Sequence, residues 1–120
     1  MAANVDTAAQ EAGENTLIPL RSLLEPSAFR DIVVLYESTL HKTMEAIDEA
    51  ARRGDTVAIG RNAHDLAGLC GQLGSGRATA LARRIESACT DGDGGGASAL
   101  VPELFPAVAE TLAALAELAR

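Results

Sequence analysis

The chain has 120 residues, 48% of them hydrophobic, and a net charge of −7; these values favour one globular domain and argue against nucleic acid as a partner, because clustered cations bind phosphate backbones. No stretch approaches the roughly 20 uncharged apolar residues of a membrane span, and no basic segment leads into an apolar one at the N-terminus, so we expect a cytoplasmic protein outside any membrane. Cys70 and Cys89 are too few for a disulfide framework and lie in no paired metal-ligand motif, so we interpret both as reduced core residues.

The spacing of apolar residues predicts an all-α fold, an antiparallel up-down-up-down four-helix bundle with a short extra N-terminal helix. Residues 1–15 contain few large apolar side chains and predict a flexible tail or linker, whereas residues 16–120 form the predicted bundle domain. Residues 17–24 predict the short helix, which Pro26 interrupts. Residues 27–53 predict the first long helix, with Gly54 as its C-terminal stop.

Three further helices follow at short intervals. Asp55 can cap the second long helix, which continues to the Gly-Ser-Gly break at residues 74–76, and a third helix is predicted from about residue 77 to 89. Residues 90–96 predict a flexible turn, because a calcium loop of the EF-hand type would require a glutamate at its twelfth position. The final helix is predicted from about residue 99 to 119.

The second long helix contains an unusual number of glycines. Gly60 and Gly68 lie one turn before and one turn after His64, and Gly71 lies two turns after it. Each interior glycine costs about 1 kcal/mol relative to alanine. Either these glycines let a neighbouring helix approach closely around a core histidine, or they clear a surface on which a large partner can reach His64. We favour the second interpretation, because His64 lies off the predicted apolar stripe.

Imidazole chemistry suits a phosphoryl carrier. The neutral ring is nucleophilic near physiological pH, and the phosphoramidate that it forms remains a good phosphoryl donor. The sequence has no glycine-rich nucleotide loop and no convincing magnesium carboxylate cluster, so we expect neither ATP use nor turnover of a small molecule. We therefore expect no cofactor of its own, with Mg²⁺ and the acceptor carboxylate supplied by the partner.

Residues 63–74, AHDLAGLCGQLG, resemble the active helix of histidine phosphotransfer (Hpt) domains of bacterial two-component phosphorelays. The family pattern is His-x-Leu-Lys-Gly, followed by small residues and a glycine ten positions after the histidine. Leu66, Gly68, Gly71 and Gly74 match it, and residues 85–86 resemble the family's next helix. The resemblance covers residues 17–118. It implies a phosphorelay intermediate that carries a phosphoryl group on His64 and exchanges it with the aspartate of a response-regulator receiver domain.

One position departs from the pattern, since Ala67 stands where the family usually has a lysine that would pair with phosphoryl oxygens. We predict that Arg61, or Arg83 or Arg84 from the next helix, supplies this charge, and that Gln72 donates a hydrogen bond. Residues 52–84 contain six arginines and only two aspartates, so we predict a local cationic surface that suits an acidic partner. The predicted docking residues are Gly60, Arg61, Ala67, Gly68, Gly71, Gln72, Arg83 and Arg84.

Other interpretations stay open at this stage. The partners implied by the resemblance are a receiver domain, a hybrid histidine kinase, or both, and we expect a monomer. An alternative is a non-catalytic Hpt-like binding module that docks or sequesters a signalling partner. His41, the other histidine, lies one turn from Glu37 and from Glu45, an ordinary solvated arrangement. No metal site is predicted, because the histidines and cysteines lack clustered ligand spacing.

Overall fold

A computed structural model describes residues 13–120, so most of the predicted tail lies outside the described residues. The last four helices form a bundle in which each helix packs against the next one in the chain. The first of the four also packs against the last, which closes a ring. This is the predicted bundle with a short helix before it, and the described part contains no strand. The helices are α1 (Leu17–Arg21), α2 (Pro26–Arg53), α3 (Thr56–Gln72), α4 (Gly76–Thr90) and α5 (Gly94–Leu118).

The boundary between α2 and α3 follows from local chemistry. Pro26 occupies the first turn of α2, where its missing N–H costs nothing. Gly54 ends α2 in the left-handed conformation, with φ of 67°, and its N–H donates to the Ala51 carbonyl. The Asp55 carboxylate then accepts a hydrogen bond from the N–H of Ala58 at 3.1 Å, which caps α3. The predicted stop and the predicted cap are both confirmed.

The start of α5 corrects the prediction. Gly94, Gly95 and Gly96, which we expected in a flexible turn, form the first turn of this helix. The Asp93 carboxylate accepts a hydrogen bond from the N–H of Gly96 at 2.8 Å and offsets the low helix propensity of glycine. A Cβ atom on Gly94 would lie 2.5 Å from Thr56 Oγ1, so glycine is required for the close approach of the two helix starts.

The core is aliphatic, as the composition predicts, with Ile47, Ile59, Leu66 and Leu104 fully buried. By length and composition α5 could also cross a membrane, with a mean hydropathy of 1.5 over its most apolar window, a third of which is buried. A core helix meets the same criterion, and α5 packs on both α2 and α4. One helix of this kind is weak evidence for a membrane span.

Candidate functional site

His64 lies midway along α3 on its outer face. Ile59, Ala63, Leu66 and Cys70 point into the core and are fully buried, whereas the His64 side chain is 63% exposed. The separation of a buried apolar stripe from an exposed imidazole, expected from the 3.6-residue period, is confirmed. A macromolecule can therefore reach the ring without any opening of the bundle.

Glu86 on α4 holds the imidazole in place. Its Oε2 atom lies 2.7 Å from His64 Nδ1, and its Oε1 atom accepts a hydrogen bond from Arg83 Nη1 at 3.0 Å. An ionised carboxylate can only accept hydrogen bonds, so the neutral imidazole carries its proton on Nδ1 and its lone pair on Nε2. Arg83 in turn fixes the carboxylate. In this tautomer the Nε2 lone pair is not used by the contact with Glu86.

A cavity of about 390 Å³ lies beside the imidazole at the seam between α3 and α4. We call it the His64 recess. Its wall is partly apolar, because the Val57 side chain is 71% exposed there, and Arg61 supplies a cation. The lining residues are Thr56, Val57, Gly60, Arg61, His64, Glu86, Cys89 and Thr90.

The seam is tight at one of the predicted glycines. A Cβ atom on Gly60 would lie 3.0 Å from the Cβ of Cys89, so Gly60 allows α3 and α4 to approach closely. For Gly60 the close-approach interpretation therefore holds, although the residue also lines the recess. Burial of Cys89, and secondarily the negative charge of Glu86, raises the pKa of the Cys89 thiol. This cysteine is accordingly held as the neutral thiol.

A second cavity, of about 340 Å³, lies towards the C-terminal end of α3. We call it the Gly68 recess. A Cβ atom on Gly68 would meet no atom within 4 Å, so this glycine leaves open space at the surface. Gln72 is fixed at its edge, because its Oε1 atom accepts a hydrogen bond from the Tyr36 hydroxyl at 3.2 Å. The lining residues are Thr16, Ala67, Gly68, Gly71, Gln72, Thr79 and Arg83.

Comparison with known proteins identifies this arrangement. The family model described as Hpt domain matches residues 31–118, which include α3, α4, His64 and Glu86. The chain belongs to the Hpt domain family. Neither a curated protein nor a solved structure matches the chain significantly. Hpt domains act in histidine phosphotransfer within phosphorelays, where they work with histidine kinases and response regulators.

In this Hpt domain all the predicted docking residues except Arg84 line one of the two recesses. Gly60 and Arg61 share the His64 recess with the imidazole, whereas the Gly68 recess contains Gly71, Gln72 and Arg83 together with Gly68. Arg84 is exposed on α4 and lines neither recess.

Ala67 lines the Gly68 recess but is buried. Its side chain is only 1% exposed, so it offers little surface to a partner. Arg83 lines the same recess as Ala67 and binds Glu86. Arg83 thus shares a recess with the position of the missing lysine and an ion pair with the carboxylate that contacts His64.

The expected cationic surface is largely neutralised by internal ion pairs. Arg52 lies 2.8 Å from Asp48, and Arg77 lies 2.6 Å from Glu110. Such exposed pairs stabilise little, but they lower the net positive charge that a partner meets. The cations that line the recesses are Arg61 and Arg83, and Arg83 is itself paired with Glu86.

Sequence reasoning assigned no role to Glu86, although it placed residues 85–86 in a segment typical of the family. The contact joins side chains 22 positions apart on two helices, and helical spacing reveals pairs only within one helix. Among residues 13–120 no three histidine, cysteine or acidic side chains come together as a metal site.

Proposed function

We propose that His64 carries the phosphoryl group and exchanges it with the aspartate of a response-regulator receiver domain. The Nε2 lone pair attacks phosphorus, the bond from phosphorus to the aspartate oxygen breaks, and the aspartate leaves as a carboxylate. The Nδ1 proton stays on the ring and remains hydrogen-bonded to Glu86. Phosphorylation of Nε2 makes the ring cationic, and the Glu86 carboxylate stabilises that charge. Return of the phosphoryl group reverses these steps.

Two arginines support the transfer in this proposal. Arg61 lines the recess beside His64, and Arg83 lines the recess that contains the position of the absent lysine. Either guanidinium could donate hydrogen bonds to the phosphoryl oxygens in place of that lysine. The divalent cation would be held by carboxylates of the receiver. We also propose that the protein acts in the cytoplasm as a monomer, uses no ATP and turns over no small molecule.

The observation that carries the proposal is the contact of 2.7 Å between Glu86 Oε2 and His64 Nδ1 on an imidazole that is 63% exposed. A histidine that only stabilised the core would be buried. The carboxylate contacts Nδ1, so Nε2 on the other side of the ring is left for reaction. Accessibility and the set tautomer together suit a nucleophile.

The decisive experiment is transfer of radioactive phosphate from a phosphorylated receiver domain. We expect acid-labile, alkali-stable labelling of the parent and none of His64→Gln, whose circular dichroism spectrum should match the parent because the side chain is exposed. His41→Gln is the matched control and should be labelled normally. Labelling of His64→Gln at the parent level would refute the assignment. A parent that binds receivers but accepts no phosphate would instead support the non-catalytic binding module. The absence of the lysine, with a buried alanine at position 67, would be consistent with that outcome.

A further inference from the structure

A groove of about 320 Å³ runs between α2 and α5 and is not explained by phosphotransfer. Its floor is apolar, since Met44 and Val108 are 6% and 3% exposed. At its edge Phe105 is 46% exposed, although the chain has only two phenylalanines. An aromatic side chain at the rim of an apolar groove is typical of an interface anchor. The lining residues are His41, Met44, Glu45, Asp48, Phe105, Val108, Ala109 and Leu112.

The groove lies on the side of the bundle opposite His64. In the ring of four helices, α3 and α4 form one adjacent pair and α2 and α5 form the other. His64 and Glu86 bridge the outer seam of the first pair, and the groove occupies the outer seam of the second. No residue lines both the groove and either recess.

Acidic side chains flank the apolar floor and indicate the charge of the occupant. Glu45 has no ion-pair partner among residues 13–120. Asp48 pairs with Arg52 on the same helix, but the arginine side chain in that pair is 72% exposed. Such an exposed pair is weak, so a lysine or arginine of a bound partner can compete with Arg52 for the Asp48 carboxylate. The rim therefore favours a cationic ligand.

Charge also disfavours the occupants nearest at hand. A second copy on the groove would bring Glu45 and Asp48 of both copies into one interface, and like charges at an interface are repulsive. Residues 1–12 contain Asp6 and Glu11 but no lysine or arginine, so the chain's own N-terminal segment does not complement the rim either.

We propose that the α2/α5 groove binds a basic amphipathic helix of a partner protein. The apolar face of that helix would cover Phe105 and Met44, and its lysines or arginines would meet Glu45 and Asp48, the helix-in-groove mode of recognition. Because His64 is on the opposite side, the same molecule can hold this partner and a receiver at once. Such a tether raises the local concentration of one signalling partner near the other.

The test uses a fluorescein-labelled synthetic helix with leucines at i, i+3, i+4 and i+7 and lysines elsewhere, titrated with the full chain in an anisotropy assay. Its scrambled isomer and its glutamate-for-lysine counterpart are the peptide controls. We expect Phe105→Ser and Glu45→Lys each to weaken binding by roughly tenfold or more, because each removes a central apolar or electrostatic contact. The controls are Glu103→Lys, which makes the same charge reversal outside the groove, and Leu35→Ser, which replaces another exposed apolar side chain by serine; both should stay within about twofold of the parent.

Phosphotransfer from a receiver should proceed at the same rate with and without the saturating basic peptide, which separates this proposal from the role of His64. Equal weakening by the control variants would overturn it, as would equal affinity for the glutamate peptide. So would a dimer of the parent that Phe105→Ser dissociates in sedimentation equilibrium. Flotation with phosphatidylglycerol vesicles that depends on Phe105, without peptide binding, would assign the groove to a lipid surface and refute the proposal.

Discussion

In the proposed transfer Glu86 has two effects on His64, since it would fix the proton on Nδ1 and offset the positive charge of the phosphorylated ring. We expect Glu86→Ala to slow single-turnover transfer by about 10- to 100-fold, because a hydrogen bond to a charged group contributes roughly 1.5 to 3 kcal/mol. Glu86→Gln should lie between this variant and the parent, since its amide oxygen still accepts the Nδ1 proton. Equal rates for all three proteins would contradict the positioning role of the carboxylate.

The same carboxylate should influence the reactivity of Cys89. Burial first, and the negative charge of Glu86 second, raises the pKa of this thiol above its ordinary value, so at pH 8 little reactive thiolate is present. We expect slow alkylation of Cys89 by iodoacetamide that accelerates as the pH rises, and faster alkylation at pH 8 in Glu86→Gln, because loss of the negative charge lowers the pKa. Burial raises the pKa of the Cys70 thiol to about 12, so Cys70 should react only after unfolding and serves as the internal control.

Arg83 and Arg84 are adjacent in the sequence but differ in their contacts. Arg83 binds Glu86 and lines the Gly68 recess, whereas Arg84 lines neither recess. We therefore expect Arg83→Gln to reduce the transfer rate by roughly tenfold, the loss of one charge-assisted hydrogen bond, and Arg84→Gln to leave it unchanged. Rapid-quench transfer from one labelled receiver measures both. The idea that Arg83 replaces the missing lysine fails if the two variants behave alike.

The residues of the site were predictable to the extent that one helix determines them. The glycine spacing around His64 and its position off the apolar stripe indicated an exposed imidazole. The burial of Ala67 was not predictable, because the family pattern gives the position of the lysine but not the packing around it. Glu86 was left without a role for the same reason, since the distance between two helices is set by packing and not by sequence spacing.

On α3, two glycines that look equivalent in the sequence should respond oppositely to alanine. Gly68→Ala places a methyl group in open space and should stabilise the protein by about 0.5 to 1 kcal/mol. Gly60→Ala places one 3.0 Å from the Cβ of Cys89, and crowding should cancel that gain or reverse it. Urea unfolding followed by circular dichroism measures both. A gain of the same size at both positions would show that the α3/α4 seam is looser than described.

The docking role of Gly68 requires a larger side chain and a different readout. Gly68→Leu should fold as well as Gly68→Ala, since a Cβ at this exposed position meets no atom within 4 Å and leucine is a good helix former. Its binding to a receiver, measured by isothermal titration calorimetry, should nevertheless be lost, because the branched side chain fills the surface next to His64. Unimpaired binding by Gly68→Leu would remove this glycine from the docking surface.

Helix ends show where sequence reasoning about elements succeeds. Gly54 and Asp55 form a stop and a cap that depend only on neighbouring residues, and both are where the sequence placed them. The start of α5 was missed because three consecutive glycines have low helix propensity. Its helical conformation depends on the Asp93 cap and on the close approach of Gly94 to Thr56 from α3, and the second of these is a tertiary contact.

The folded unit extends beyond the range that matches the Hpt domain family. The match begins at residue 31, yet Leu17 on α1 is 1% exposed and belongs to the core. The N–H of Thr16 also donates to the Gln72 carbonyl at 2.9 Å, so the segment before α2 is tied to the end of α3. Thr16, which directly precedes α1, lines the Gly68 recess. The segment of residues 16–21 therefore contributes to both the core and the candidate site.

If α1 is an integral part of the bundle, its removal from the core should destabilise the whole molecule. We expect Leu17→Ala to lower the free energy of unfolding by about 2 to 3 kcal/mol, the range for truncating a buried leucine. Ile18→Ala, next to it but 52% exposed, should change it by less than about 0.5 kcal/mol.

Far-ultraviolet circular dichroism reports all helices, and the fluorescence of Tyr36, the only tyrosine in a chain without tryptophan, reports the contact with Gln72. Cooperative folding requires both signals to shift together in each variant, whereas an early transition seen by one probe alone would show that α1 unfolds independently of the four-helix ring.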